Sequence, residues 1–309
     1  MSDSETESTP NQDGPLLSIS VPLIPVAPDE EENGFRVQNT SLNDWQREAV
    51  IERKGAIDVG CDLVGALHGY YGEPFDDGPF ATLLVFKFRF DPQKHARRII
   101  RCKATVEFTP MDDNAASTNK PAVVAIAPNN RLQMVPTTDP EQITTAINAE
   151  LAVTAVPIVT PTIGGSFERT RTRDNPDATT VSGNISLAPG VNSGRRTCAG
   201  WTLLENATRR TGLPDSLRVA VLIKRQDQLA PFQAMVRMSC HADFKTGLGW
   251  FFGSFPIDDP VLLNPALPPQ GVLKGYASEN MATAIDLSSL MDVTFRTEYV
   301  AALRETGAA

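Results

Sequence analysis

The 309-residue chain is 41% hydrophobic and 21% charged, an ordinary globular mix, and it is long enough for one large β domain or two small ones. Its net charge of −9 is unevenly laid out: residues 1–80 carry 4 basic and 16 acidic side chains, residues 81–245 carry 21 and 14, and residues 246–309 carry 3 and 7. The apolar runs all fall short of the roughly 18 to 20 residues of a membrane helix. The four cysteines form no CxxC pair, and the acidic opening MSDSETESTPNQDG does not read as a signal peptide. A zinc site and a secreted disulfide framework are thereby disfavoured, and a reduced, cytoplasmic compartment is expected.

Taken in order, residues 1–35 read as a disordered acidic arm with one apolar patch, LLSISVPLIPV, at 16–26. Residues 36–80 read as a short helix and a Gly-rich segment packed on the core. Ser41 followed by Asp44 resembles a capping box, and Leu42, Trp45, Ala49 and Val50 fit an amphipathic helix ending near Lys54. The stretch GCDLVGALHGYYG fits helix and strand equally.

Residues 81–256 read as the β core. Leu84, Phe86, Phe88 and Phe90 alternate with Lys87 and Arg89, and Ile100, Cys102, Ala104, Val106 and Phe108 alternate with Arg101, Lys103, Thr105 and Glu107. Successive strand side chains point to opposite faces, so both are strands with one buried face, and they are expected to be antiparallel neighbours. Residues 143–167 continue the rhythm, with Ile143, Ile147, Ala149, Leu151, Val153, Ala155, Val159, Ile163 and Phe167 on odd positions and mostly Thr, Asn, Ser and Glu on even ones. Pro157 and Pro161 make this two strands or one bent edge strand. RTRTRDNPDAT reads as a charged turn, after which Thr179, Val181, Ile185 and Leu187 resume.

LLENATRRTGLP reads as a short helix or a single turn, stopped by Gly212 and Pro214, with Glu205 and Arg209 as an i,i+4 pair. Leu217, Val219, Val221 and Ile223 have apolar residues between them, which predicts a central strand covered on both faces. Phe232 to Phe244 alternates strictly apart from Met235. Trp201 is expected to anchor the core, and Trp250, Phe251, Phe252 and Phe255 to plug one end of it. Residues 257–309 read as a Pro-rich connection followed by a partly helical segment, with Phe295, Tyr299 and Leu303 on one helix face. The fold class is therefore an all-β, two-sheet antiparallel sandwich, jelly-roll-like or C2-like.

Catalytic signatures are missing: there is no GxSxG, HExxH, P-loop, strand-associated GxGxxG or kinase motif. Three histidines are few for acid–base or metal work, and Cys240 and His241 fall on opposite strand faces. Asp76-Asp77, Asp112-Asp113 and Asp258-Asp259 read as solvated turn doublets, and no metal or cofactor is predicted.

Three readings remain. The first is a non-enzymatic intracellular interaction module. Its candidate site is a basic β surface made of Lys87, Arg89, Arg101, Lys103, Arg169, Arg171 and Arg173, offered to an anionic or protein partner, with Asp29–Glu32 of the arm competing for it. Nucleic acid is disfavoured, peripheral membrane contact is compatible, and the sequence does not fix the oligomeric state. The second is a membrane-active β protein that uses the amphipathic strands of 143–187. The charged turn RTRTRDNPD speaks against it, because that tip would have to cross the bilayer. The third is an enzyme with a pocket between the sheets.

Overall fold

In a computed structural model of the chain, residues 36–54, 57–74, 79–92, 97–112, 120–147, 167–243 and 257–295 are described, those of 135–147 and 167–176 by their backbone alone. Two antiparallel sheets carry the fold. The first runs in the order β1 (Ala49–Arg53), β2 (Ile57–Tyr70), β3 (Phe80–Pro92), β9 (Ser216–Arg225) and β13 (Asp292–Thr294). Two short strands join it off this path: β5 (Ala122–Ala127) pairs with β9, and β12 (Gln270–Gly271) pairs with β2. The second sheet runs β11 (Val261–Leu263), β10 (Phe232–Ala242), β4 (Ile99–Pro110), β8 (Cys198–Leu204), β7 (Phe167–Ser186) and β6 (Arg131–Ile147).

The alternation of β3 explains how the sheets meet. Phe86, Phe88 and Phe90 lie in the main core with Trp201 of β8 and Phe108 of β4, and the rings of Phe88 and Trp201 are 6.2 Å apart. Burying one such side chain contributes roughly 1.5 to 3 kcal/mol. The indole N–H of Trp201 donates to the Pro128 carbonyl at 3.1 Å, so its polar atom is satisfied as well. Gly183 of β7 lies beside the same carbonyl, where an added Cβ would sit 2.0 Å from the Pro128 oxygen.

The opposite face of β3 and β9 is apolar too, and the reason lies in the C-terminal segment. Leu83, Val85, Ala220 and Leu222 pack against Leu273, Met281, Ile285 and Leu290 in a second core. Met281 belongs to a single helical turn, α1 (Met281–Ala284), and Leu290 to the 3-10 turn Leu287–Leu290. The central, doubly covered position expected for Leu217–Ile223 is what β9 occupies.

Several local expectations are corrected. There is no helix over 41–54: Thr40–Asp44 is a turn in which the Asp44 carboxylate accepts the Thr40 amide, and Ala49–Arg53 is β1, paired with β2. Gln46 has φ 54 and its amide donates to Leu262, which stops any helix there. The undecided stretch after Gly55 is β2. Residues 205–212 form a turn, not a helix. Glu205 pairs with Arg98 at 3.1 Å instead of Arg209, and Gly212 takes the left-handed φ of 78 that its position requires. Most consequential, β3 and β4 are not neighbours. β3 pairs with β2 and β9 in one sheet, and β4 pairs with β10 and β8 in the other. The six-residue connection between them joins one sheet to the other, a step that alternation within each strand does not encode.

The arm 1–35, the aromatic stretch Trp250–Phe255 and the C-terminal helix beyond Phe295 lie outside the described residues.

Candidate functional site

RTRTRDNPD is not a turn. It lies within β7, which is continuous from Phe167 to Ser186 and pairs with β6 along almost its whole length. At its sandwich end β7 is held by β8, from Thr180↔Leu204 to Ser186↔Cys198. Beyond that, β6 and β7 continue as a two-stranded hairpin. Eleven register pairs run from Thr137↔Asp177 to Ile147↔Phe167. Ten residue steps at about 3.4 Å each make an arm of about 34 Å.

The root of the arm is fixed by polar contacts. One oxygen of the Asp177 carboxylate accepts the Thr208 amide at 2.8 Å and the other accepts the Ala178 amide at 2.8 Å. The backbone hydrogen bond from Thr208 is the main reason the Asp177 carboxyl is held below its usual range. Asn206, fully buried, donates its side-chain amide to the Asp177 carbonyl at 3.3 Å. A bulge in β6 between Met134 and Thr137 marks the same level, and bulges are where a strand changes course.

Among the described residues no third strand pairs with the arm beyond Asp177, so both of its outer edges are open. That explains how Pro140 and Pro176 are tolerated in long strands, since proline is confined to edges. It also poses a physical problem. An isolated two-stranded hairpin is marginally stable in water, and open edges are templates for further pairing.

The register assigns the faces. Glu141↔Arg173, Ile143↔Arg171, Thr145↔Arg169 and Ile147↔Phe167 form one set of facing pairs, and Gln142↔Thr172, Thr144↔Thr170 and Ala146↔Glu168 the other. Directly opposed residues share a sheet face. The connection 148–166 lies outside the described residues. In sequence, 143–167 contains one charged side chain, Glu150.

The predicted basic surface is dispersed over three places. Lys87 and Arg89 belong to β3, where Arg89 pairs with Asp62 at 3.0 Å. Arg101 and Lys103 are exposed on the outer face of the second sheet, away from the main core. Arg169, Arg171 and Arg173 are on the arm. The structure supplies Arg101 and Lys103 with company that alternation did not identify. Arg101 is opposite His241, Lys103 is opposite Ser239, and Arg131 of β6 is opposite Ser182 of β7. All of Arg101, Lys103, Arg131, Arg237 and His241 are exposed. Arg237 meets Glu107 at 2.7 Å, so part of that charge is neutralised.

Two further polar clusters lie inside the fold. Asp258 and Asp259 do not form a solvated doublet. Asp258 is buried, pairs with Arg53 at 2.5 Å and accepts the Val37 amide, while Asp259 accepts the Asn39 amide. Together they clamp residues 37–47 to the second sheet. His68 is buried between Thr82 and Gln46, at 2.9 Å from each, and desolvation pushes its pKa down to about 3. A neutral ring bonded on both sides is a structural strut. Among the described residues no group of three or more His, Cys, Asp or Glu is placed to hold a metal, and no helix is long and apolar enough to cross a membrane.

No family model matches the chain, and no curated protein matches it. Among solved structures it is similar to the NetB toxin of Clostridium perfringens in its membrane-inserted form, at 7% identity and a TM-score of 0.27, covering 63% of this chain and 83% of that one. It is similar to the delta-toxin of Clostridium perfringens at 10% identity and a TM-score of 0.30, covering 65% and 82%. It is also similar to a chain described as a pore forming protein, at 8% identity and a TM-score of 0.25, covering 70% and 90%.

Proposed function

We propose that the chain is a membrane-active β protein whose hairpin, residues 137–177, delivers residues 147–167 into a bilayer. The carrying observation is the arm: eleven register pairs beyond the sandwich, two open edges and a far end with one charged side chain. A transmembrane β-strand needs about 9 to 11 residues. Residues 147–167 number 21, enough for two such strands and a short turn.

Lipid removes water as a partner for the open edges, so every backbone group must be paired within protein. One hairpin cannot close on itself, so the reading requires several copies edge to edge as a barrel wall. The objection raised by RTRTRDNPD falls away, because that segment is on the sandwich side of the Ile147↔Phe167 pair and does not cross.

The test is release of an entrapped dye from phospholipid vesicles by the full chain. Leu151→Arg and Ile163→Arg each place a cation on an apolar odd position inside residues 147–167, and a cation at the bilayer midplane costs about 2 to 4 kcal/mol. Dye release by the parent and its loss in either variant, with unchanged thermal unfolding, supports the reading. A parent that releases no dye from any vesicle contradicts it.

A second reading has its own observation. The exposed group Arg101, Lys103, Arg131 and His241 suits an anionic protein partner of a non-enzymatic interaction module. It predicts binding that Arg101→Gln with Lys103→Gln abolishes, without reference to the arm.

A further inference from the structure

We infer that Arg169 and Arg171, with Arg173 behind them, form a headgroup anchor for anionic phospholipids at the level where the hairpin enters the bilayer. The inference rests on the membrane reading and deepens it by naming the lipid. Its basis is a juxtaposition that the register creates and the sequence alone conceals. Read as a turn, the three arginines are an exposed loop tip. Read in register, they follow Phe167 on alternate positions of one strand, on the face that also holds Ile143 and Ile147.

The face therefore changes character within one step. Toward the far end it carries Ile147 opposite Phe167. Toward the root it carries Thr145 opposite Arg169, Ile143 opposite Arg171 and Glu141 opposite Arg173. Arg173 thus has an acidic counterpart across the strand pair, and Arg169 and Arg171 have uncharged ones. Alternate residues on a strand are about 7 Å apart, so Arg169 and Arg171 together span about the 5 to 7 Å depth of the headgroup layer beside a hydrocarbon core of about 30 Å. Guanidinium groups bind phosphate through paired, charge-assisted hydrogen bonds, and long basic side chains at a membrane boundary reach back to the interface.

Positions facing the barrel interior would not do this. The opposite face at this level carries Gln142, Thr144, Thr170 and Thr172, and the charge beside them, Glu168 opposite Ala146, is acidic. The cationic set belongs to the face shared with the apolar residues. That sharing distinguishes a lipid anchor from a charged channel lining, and it selects lipid over a soluble polyanion as the partner.

The experiment uses the full chain with vesicles of phosphatidylcholine alone or of phosphatidylcholine with phosphatidylserine. Vesicle co-sedimentation and dye release are both read, with and without added inorganic phosphate at constant ionic strength. Each basic residue near an anionic surface is worth roughly fivefold in partitioning, so Arg169→Gln, Arg171→Gln and Arg173→Gln together should lower binding to the anionic vesicles by about 25-fold to 100-fold. Binding to neutral vesicles should be unchanged. Replacement of the three arginines by lysine should retain most of the preference, and Arg101→Gln with Lys103→Gln should leave it intact.

Equal binding and release with both vesicle types by the parent overturns the anchor and leaves the membrane reading standing. A loss as large from Arg101→Gln with Lys103→Gln overturns it in favour of the sheet face. Competition by inorganic phosphate as strong as that by anionic vesicles assigns the arginines to free phosphate and also overturns it. No binding and no release with either vesicle overturns anchor and membrane reading together.

Discussion

Asp177 accepts the Thr208 backbone amide at 2.8 Å, and this contact ties the hairpin to the β8–β9 turn where β7 leaves its neighbour in the sheet. The Thr208 hydrogen bond is what lowers the Asp177 carboxyl. A depressed carboxyl contributes stability that is present above its unfolded pKa, about 3.9, and is lost as pH falls through the lower folded value. Asp177→Asn should therefore loosen the root at neutral pH and change little in strong acid. Amide-exchange protection at Thr208 and Ala178, followed from pH 5 to pH 2, checks this. Protection at both sites that does not depend on pH in the parent would contradict it.

Trp201 is fully buried against Phe88, with its N–H on the Pro128 carbonyl. Trp201→Ala should cost about 3 to 5 kcal/mol, seen as a lower urea midpoint at unchanged slope. A variant that unfolds with the parent's midpoint would place the residue outside the core.

His68 predicts an acid-side loss of stability. Its ring is held neutral down to about pH 3, mainly by burial, while in the unfolded chain it takes a proton near 6.5. The unfolded state therefore gains a proton that the native state does not, and the stability contribution is lost progressively as pH falls from about 6.5 toward 3. His68→Gln should flatten that part of the stability curve. A ring that titrates near 6.5 by NMR would contradict the buried strut.

Where sequence and structure agree, a single strand carries its own evidence. The alternation around Phe88, Val106 and Val236 marks which residues are inside, because burial has a period of two in any half-covered strand. Which strand is next to which is a property of connections, so the rhythm of β3 and β4 could not reveal that they lie in different sheets. Leu42, Trp45, Ala49 and Val50 have helical spacing, but Trp45 bridges to Leu262 and the following residues pair with β2. Tertiary pairing overrides local periodicity there. The hairpin was hidden by the turn-like chemistry of Asn175-Pro176-Asp177. Proline and a charge cluster signal a turn in isolation, yet an edge with no partner accepts both. Arg131, Arg237 and His241 join Arg101 and Lys103 only through cross-strand register, which no local window contains.

All four cysteines are free and buried, and Cys102 and Cys240 lie opposite each other in register with their sulfurs 3.3 Å apart. The Cys102 thiol is pushed up, first by its hydrogen bond to Cys240 and then by burial. The native chain should show no rapidly alkylated thiol at neutral pH, and all four should react in denaturant. A fast native phase with iodoacetamide would contradict this arrangement.

That inertness lets a single introduced cysteine report on the hairpin, and an environment-sensitive fluorophore placed by turns at positions 142 to 147 and at 167 tests the central claim most directly. With anionic vesicles present, positions 147 and 167 should shift to a lipid environment and 143 and 145 to the headgroup boundary, while 142, 144 and 146 should remain polar, giving a two-residue period. Spectra that do not change on adding vesicles at any position, or that change without alternation, would contradict insertion of this hairpin as a β-strand pair.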